Sequence, residues 1–443
     1  MPLKNISFSI CDPISDAFNT LNDTCCDDIV SEDYLRNDLG DKLSFSNRQG
    51  ALQLDFRGRS GKNNLRCSLP FKRRGVPNPK NLRSYPQIQR RNEILGSVKK
   101  VIYIDVPDSW YPDTEEAGTI NSAVDAGYNV IILAFWMSSA PQLASGACDT
   151  CAMWERDIST SLQQSTIDYA HSKGAIVLAS AGGAVDVPWD NLSGEDYGSN
   201  VAKWALANNL DGVDFDIENF SQGFIMYTGS SDLDAIGYLS DMTQAARDVL
   251  GPNGYITHAP QAPYFGPINP DDSSEWWTGS LGGYSQVYKD NHEDIDWFNI
   301  QFYNQGTTMY VDYNGLFIES GGSFPGTSVQ EIVSYGIPQD KIVIGKYMRP
   351  DIDGSDGYVD PTDLNIYLAK ANVSFGFIPS VMVWQYPGLT TWPKDQDCTS
   401  GPQAAKDWID TVESGLTTSA RKKRAAKKKA KKQAANIKKA NSK

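Results

Sequence analysis

Eight short, β-branched apolar runs recur along the middle of this chain, at residues 101–106, 129–135, 175–180, 212–217, 255–259, 297–303, 342–346 and 380–384. Each is separated from the next by a stretch long enough for a helix. Segments 161–172, 199–208 and 232–250 repeat apolar residues at three- and four-residue steps, the helical period. Strand and helix therefore alternate, the pattern of a parallel sheet. Eight such units within residues 99–416 predict an α/β protein, a closed (β/α)8 TIM barrel, whose usual size is roughly 250 residues before insertions. An open doubly wound sheet is the rival. It needs a glycine-rich phosphate turn after the first strand, where this chain has Val106-Pro107-Asp108-Ser109-Trp110.

Charge divides the remainder. The 443 residues carry 40 Lys and Arg against 54 Asp and Glu. Residues 421–443 hold 12 of those cations and no acid, and the region between Arg57 and Lys100 holds 13 cations against one acid, Glu93. The central body is thus strongly acidic between two basic arms. Residues 1–98 show weak periodicity, with Pro70, Pro77, Pro79 and Pro86 punctuating the basic run. They read as an N-terminal extension, with a small folded part at most near 35–56 and a linker after it. Residues 417–443 read as a disordered tail, since 421–443, almost wholly Lys, Arg, Ala, Asn and Gln, can bury nothing.

No run approaches the ~20 apolar residues of a membrane helix, and the first 26 residues lack the basic start and apolar stretch of a signal peptide. The compartment stays open between retention in a cell, release by lysis and packaging in a virion. Seven cysteines include a single CxxC, Cys148-Asp149-Thr150-Cys151; with three histidines in the chain no zinc set assembles, which leaves a loop disulfide or two thiols.

The densest chemical signal is Asp211-Gly212-Val213-Asp214-Phe215-Asp216-Ile217-Glu218. On a strand, Asp214, Asp216 and Glu218 share one face and Val213, Phe215 and Ile217 the other. In a barrel the apolar set would face the helices and the acids the lumen, with Glu218 nearest the carboxyl end where barrel enzymes keep their sites. Adjacent carboxylates cannot all ionise, so at least one must hold a proton near neutral pH, as a general acid does.

This octet resembles the DxxDxDxE signature of glycoside hydrolase family 18, the chitinases and their relatives. Ser180-Ala181-Gly182-Gly183 resembles the family's SxGG motif. Ala259-Pro260-Gln261 and Gln301-Phe302-Tyr303-Asn304 are similar to strand-end motifs of its class III plant and fungal branch, and Val383-Trp384 to the tryptophan of its last strand. The resemblance runs from about Lys99 to Val412.

What it implies is hydrolysis of β-1,4-linked N-acetylglucosamine polymers (chitin) by a retaining, substrate-assisted mechanism, with no cofactor and no metal. Glu218 would protonate the glycosidic oxygen, Asp216 hold the acetamido N–H and Asp214 share a proton with Asp216. Tyr303 would fix the acetamido oxygen, and Trp384 would floor the distorted sugar. Gln301, on the face of Tyr303, Gln261 at the end of the fifth strand, and Asp211 at the start of the fourth are the further candidates for sugar contacts. For Asp211 a structural hydrogen bond competes with that role. Trp110, Trp136, Trp189, Trp276 and Trp277 fall in or near predicted loops, where they could line a glycan cleft. An endo-β-N-acetylglucosaminidase acting on N-glycans and a silent glycan-binding or structural protein on the same barrel are the alternatives. The expected partners are chitin or an N-acetylglucosamine-containing glycan, and a polyanion for the tail. The barrel is expected to be monomeric and not to insert in a membrane.

Overall fold

The computed structural model describes residues 8–10, 28–30, 43–48, 51–57, 64–69, 85–105, 115–138, 150–184, 186–190, 192–218, 235–266, 283–322, 324–350, 356–377, 379–386 and 402–413. The tail at 417–443, Cys148, Trp110, Trp276 and Trp277 lie outside them. The chain divides into two compact units, Met1–Leu82 and Arg83–Lys443.

In the first unit Phe8–Ile10 and Asp28–Val30 pair antiparallel, and Leu43–Arg48, Ala51–Arg57 and Asn64–Leu69 form a three-stranded antiparallel sheet. Two of these three strands fall on the small folded part expected near 35–56. The third lies inside the basic run read as a linker. In register Leu52, Leu54 and Phe56 stand opposite Leu69, Cys67 and Leu65, an apolar period of two that the surrounding charge obscures.

The second unit is a closed parallel barrel. Its strands are β1 (Lys100–Ile104), β2 (Val130–Trp136), β3 (Ile176–Gly183), β4 (Gly212–Ile217), β5 (Tyr255–His258), β6 (Trp297–Gln301), β7 (Ile342–Tyr347) and β8 (Ser380–Trp384). Each pairs in parallel with its sequence neighbours, and β8 closes onto β1. Helices Thr160–Ser172, Gly194–Ala207 and Ala235–Leu250 match the helical periodicity of the sequence. Serines start the first two cleanly: Ser159 accepts from Leu162 N and Ser193 from Asp196 N, satisfying amides that a helix start leaves open. Val213, Phe215 and Ile217 are buried toward the helical layer, where Phe215 meets Tyr197 of Gly194–Ala207. Cys151 is buried, its Sγ donating to Leu133 O (3.3 Å).

The amino end of the barrel is sealed by ion pairs. Arg91, on the helix Tyr85–Leu95, donates to Asp296 Oδ2 (3.0 Å), and Ile94 of the same helix joins the buried core, so this helix packs as part of the barrel unit. Arg247 lies 3.5 Å from both Asp294 and Asp296 and donates to the carbonyls of Gly254 (2.7 Å) and Asp294 (2.6 Å). Asp296 also accepts from Ile256 N (2.9 Å), which ties the cluster into β5.

Candidate active site

The carboxyl ends of the parallel strands gather the acid row. Asp214 is fully buried at the centre of the lumen, where four strands reach it with neutral donors. Tyr103 Oη (β1, 2.7 Å) and Ser180 Oγ (β3, 2.8 Å) donate to its Oδ2; Thr257 Oγ1 (β5) and Asn299 Nδ2 (β6, 3.1 Å) donate to its Oδ1. Donors from strands this far apart around the sheet can converge only inside the barrel. Burial pushes the Asp214 carboxyl up from its ordinary range, and the four hydrogen bonds, led by that of Thr257, pull the other way.

One step along the strand, Asp216 is pushed well above the ordinary carboxylate range. Burial is the main cause, followed by the charges of Glu218 and Asp214 and by a hydrogen bond with the Glu218 carboxyl. Two interacting carboxyls titrate as a pair rather than singly. Gln301 braces both: its Nε2 donates to Asp216 Oδ1 (2.9 Å), Glu218 Oε1 (3.0 Å) and Ala259 O (2.9 Å). Two amide hydrogens serve three acceptors, so at least one bond is shared. Glu218 stands at the rim, half-buried, with its carbonyl held by Tyr264 Oη (3.0 Å).

Tyr303 lies just beyond β6, buried, its phenol pushed well above its usual range by burial and then by the charges of Asp216 and Glu218. Among the described residues its hydroxyl makes no hydrogen bond, which leaves the donor available beside the acid pair. Trp384 ends β8, partly exposed, with its ring stacked on Phe135 (5.7 Å, 26°) and tilted against Tyr103 (5.6 Å). The wall of the lumen is therefore a continuous run from Asp214 through Tyr103 to Trp384.

Gly182 and Gly183 let β3 press against this row. Gly182 has φ +117°, and a Cβ there would stand 2.1 Å from Asp216 O; Gly183 has φ +80°, and its Cβ would strike the Phe135 ring at 2.8 Å. Only glycine fits either place.

The structure separates the remaining candidates. Asp211 stands at the amino end of β4, where both its oxygens meet His171 Nε2 (2.9 and 3.0 Å) and Oδ2 accepts from Val177 N (3.0 Å). That is the far end of the barrel from Glu218, so Asp211 is a structural group and cannot contact a substrate at the rim. The Gln301 amide is turned to the carboxyl pair. Gln261 bridges Gln301 through the backbone and precedes the 3-10 turn Ala262–Phe265, its amide making no hydrogen bond among the described residues. Of the tryptophans, Trp136 ends β2 and packs edge-on against Tyr197 (5.3 Å, 73°), buried rather than lining a cleft.

The donors to Asp214 were not singled out from the sequence for this role. Their signal is a polar residue interrupting an apolar strand, as Thr257 does in β5 and Asn299 in β6. Among the described residues no group of three or more His, Cys, Asp or Glu could hold a metal, and no helix is long and apolar enough to cross a membrane.

No family model matches the chain. A search of curated proteins finds Endochitinase 3 of Metarhizium robertsii, 27% identical over 271 residues, which span 54% of this chain and 72% of that protein. Among solved structures, a family 18 chitinase from Pseudoalteromonas aurantia superposes with a TM-score of 0.51 at 23% identity, over 72% of this chain and 99% of that one. A chitinase from Aspergillus fumigatus does so with a TM-score of 0.48 at 21% identity, over 68% and 95%. In sequence the chain is chitinase-like, and its fold is the barrel that the first of these structures shares.

Proposed function

We propose that this chain is a chitinase-type glycoside hydrolase resembling family 18, and that it cleaves β-1,4-linked N-acetylglucosamine polymers with the substrate's own acetamido oxygen as nucleophile. The observation that carries the reading is the bridging of the Asp216 and Glu218 carboxyls by the Gln301 amide at the carboxyl end of a barrel, with Tyr303 buried just beyond β6.

Glu218, at the rim, delivers the proton to the glycosidic oxygen as the bond to the leaving sugar breaks. The acetamido carbonyl oxygen closes onto the anomeric carbon from the other face, and positive charge develops on the resulting ring. Asp216, stripped of its share of the proton, accepts the acetamido N–H and balances that charge. Asp214 stays fixed beneath by four donors, and its carboxyl acts on Asp216 through its charge. Tyr303 donates to the acetamido oxygen and keeps it in line for attack. The Glu218 carboxylate then takes a proton from water, which opens the ring with net retention. Trp384 offers an apolar face to the sugar, whose C–H groups pack on indole.

Chitin oligomers and an N-glycosylated protein, offered side by side, test the substrate. Shortened oligomers with untouched glycoprotein support chitin; release of the glycan with intact oligomers supports the endo-β-N-acetylglucosaminidase reading; cleavage of cellulose or fully deacetylated chitosan would defeat substrate assistance altogether.

The 12 cations of residues 421–443 are proposed to bind a polyanion by releasing its counterions. Ending the chain at residue 420 should abolish retention on heparin at low salt and leave turnover of short oligomers unchanged. Equal retention would refute it.

A further inference from the structure

Lys346 sits on β7, fully buried, and among the described residues no carboxylate pairs with it. Burial holds its ammonium pKa well below the usual lysine range. An uncompensated buried cation is costly, so its contacts must repay the desolvation. Its Nζ donates to three backbone carbonyls: Phe302 O (2.6 Å), Tyr310 O (2.8 Å) and Gly357 O (3.0 Å). Three acceptors match the three N–H of an ammonium, whereas a neutral amine would turn a lone pair toward one of them.

These carbonyls belong to two separate segments. Phe302 and Tyr310 bracket the loop that leaves β6, and Gly357 precedes the helix Pro361–Phe375. Both segments also meet at Tyr303. Asn304 N donates to Asp356 O (2.9 Å). Gly357 has φ +85°, and a Cβ there would lie 2.9 Å from Tyr303 Cα and 3.2 Å from Phe302 O. On the other side, Tyr347, the residue after Lys346, packs its ring 4.6 Å from that of Tyr303 and donates its hydroxyl to Asn304 Oδ1. Tyr303 is thus gripped at the peptide before it, at the peptide after it, at its Cα and at its ring.

We propose that Lys346 and Gly357 form a clasp that sets the Tyr303 hydroxyl against the Asp216–Glu218 pair, Lys346 being a positioning residue for the reaction. This rests on the reading that Tyr303 steers the acetamido group. A clasp of this kind explains a lysine where a leucine would bury more cheaply: carbonyls on two loops are tied to one point on a rigid strand.

The test is a double-mutant cycle on a fluorogenic di-N-acetylchitobioside, with Lys346→Met and Tyr303→Phe singly and together, and Gly357→Ala as a second probe of the clasp. Lys346→Met should lower kcat by ~10-fold, inside the ~10²-fold that a misplacement of 1 Å can cost, with KM changed by less than about twofold. In the Tyr303→Phe background the same substitution should cost less than about twofold, because the hydroxyl it positions is gone. Gly357→Ala should repeat that pattern, and serves alone if Lys346→Met does not fold. Equal losses from Lys346→Met in both backgrounds, or no loss in either, would overturn the clasp while leaving the Tyr303 reading intact. Full activity of Tyr303→Phe by itself would sink the acetamido reading and the clasp with it.

Discussion

The two ends of the barrel spend carboxylates in opposite ways. At the amino end Asp294 and Asp296 face Arg91 and Arg247, and Asp211 faces His171. At the carboxyl end, among the described residues, Asp214 receives four neutral donors, and Asp216 and Glu218 both accept from the Gln301 amide. An arginine beside a buried acid locks the pair. Neutral donors leave the proton balance undecided, and the proton can move. In the function proposed above, one end holds the chain together and the other changes its charge during the reaction. Removing an acid should therefore have separable consequences at the two ends.

The largest effect is expected at the rim. Glu218→Gln keeps volume and hydrogen bonding and removes the transferable proton. Turnover of chitin oligomers should fall by at least ~10²-fold, the lower range for general acid catalysis, with the thermal midpoint unchanged. A midpoint that dropped along with turnover would erase the contrast between the ends.

Asp296→Ala should do the converse. It strips the carboxylate from Arg91 and one of two from the buried Arg247, and breaking a buried pair costs about 3 kcal/mol. Denaturant unfolding should register that loss, while kcat/KM at a permissive temperature stays within about twofold because no active-site atom has moved.

The smallest effect sharpens the comparison through pH. The folded-state pKa of Asp216 is raised, so the folded protein holds a proton that the unfolded chain gives up near pH 4, and this contribution to stability is lost as pH rises. Asp216→Asn should gain on wild type in unfolding free energy as pH rises above about 4, while losing activity. His258 works in the reverse sense. It is buried among Phe215, Tyr284 and Phe298, and burial pulls its pKa down to about 3. Below pH ~6.5 the unfolded chain binds a proton that the folded one refuses, so stability falls with falling pH, by up to about 1.4 kcal/mol per pH unit. Identical acid limbs for wild type and His258→Gln would contradict that placement.

How much of this was legible follows from what each signal depends on. The eight strands were readable because a parallel strand covered on both faces must be apolar throughout, and local pattern reports that directly. The acid row was readable for the same reason, since alternation alone puts Asp214, Asp216 and Glu218 together. That same parity sets Asp211, three residues before Asp214, outside the row, and the structure pairs it with His171 instead. Local pattern cannot reveal who meets whom around a closed sheet. Tyr103, Ser180, Thr257 and Asn299 lie on four strands scattered over about two hundred residues, and they become one cradle only when β8 returns to β1. Lys346 is the extreme case. Its partners are carbonyls, which every residue has, so the sequence shows a lone cation in an apolar run and nothing of what it holds. Gln301 shows a related limit: an amide at a strand end can meet a sugar hydroxyl or a carboxyl, and its bonds to Asp216 and Glu218 appear only in the folded barrel.

The tight seating of Gly182 has a consequence for any attempt to evolve this chain. In a saturation library scored separately for soluble yield and for activity, most positions of the acid row should be permissive in the first screen and closed in the second. Position 182 should be closed in both, because any side chain there meets the Asp216 carbonyl before folding is complete. Diversification of the catalytic strand is therefore bounded from the neighbouring strand by a residue that takes no part in the chemistry.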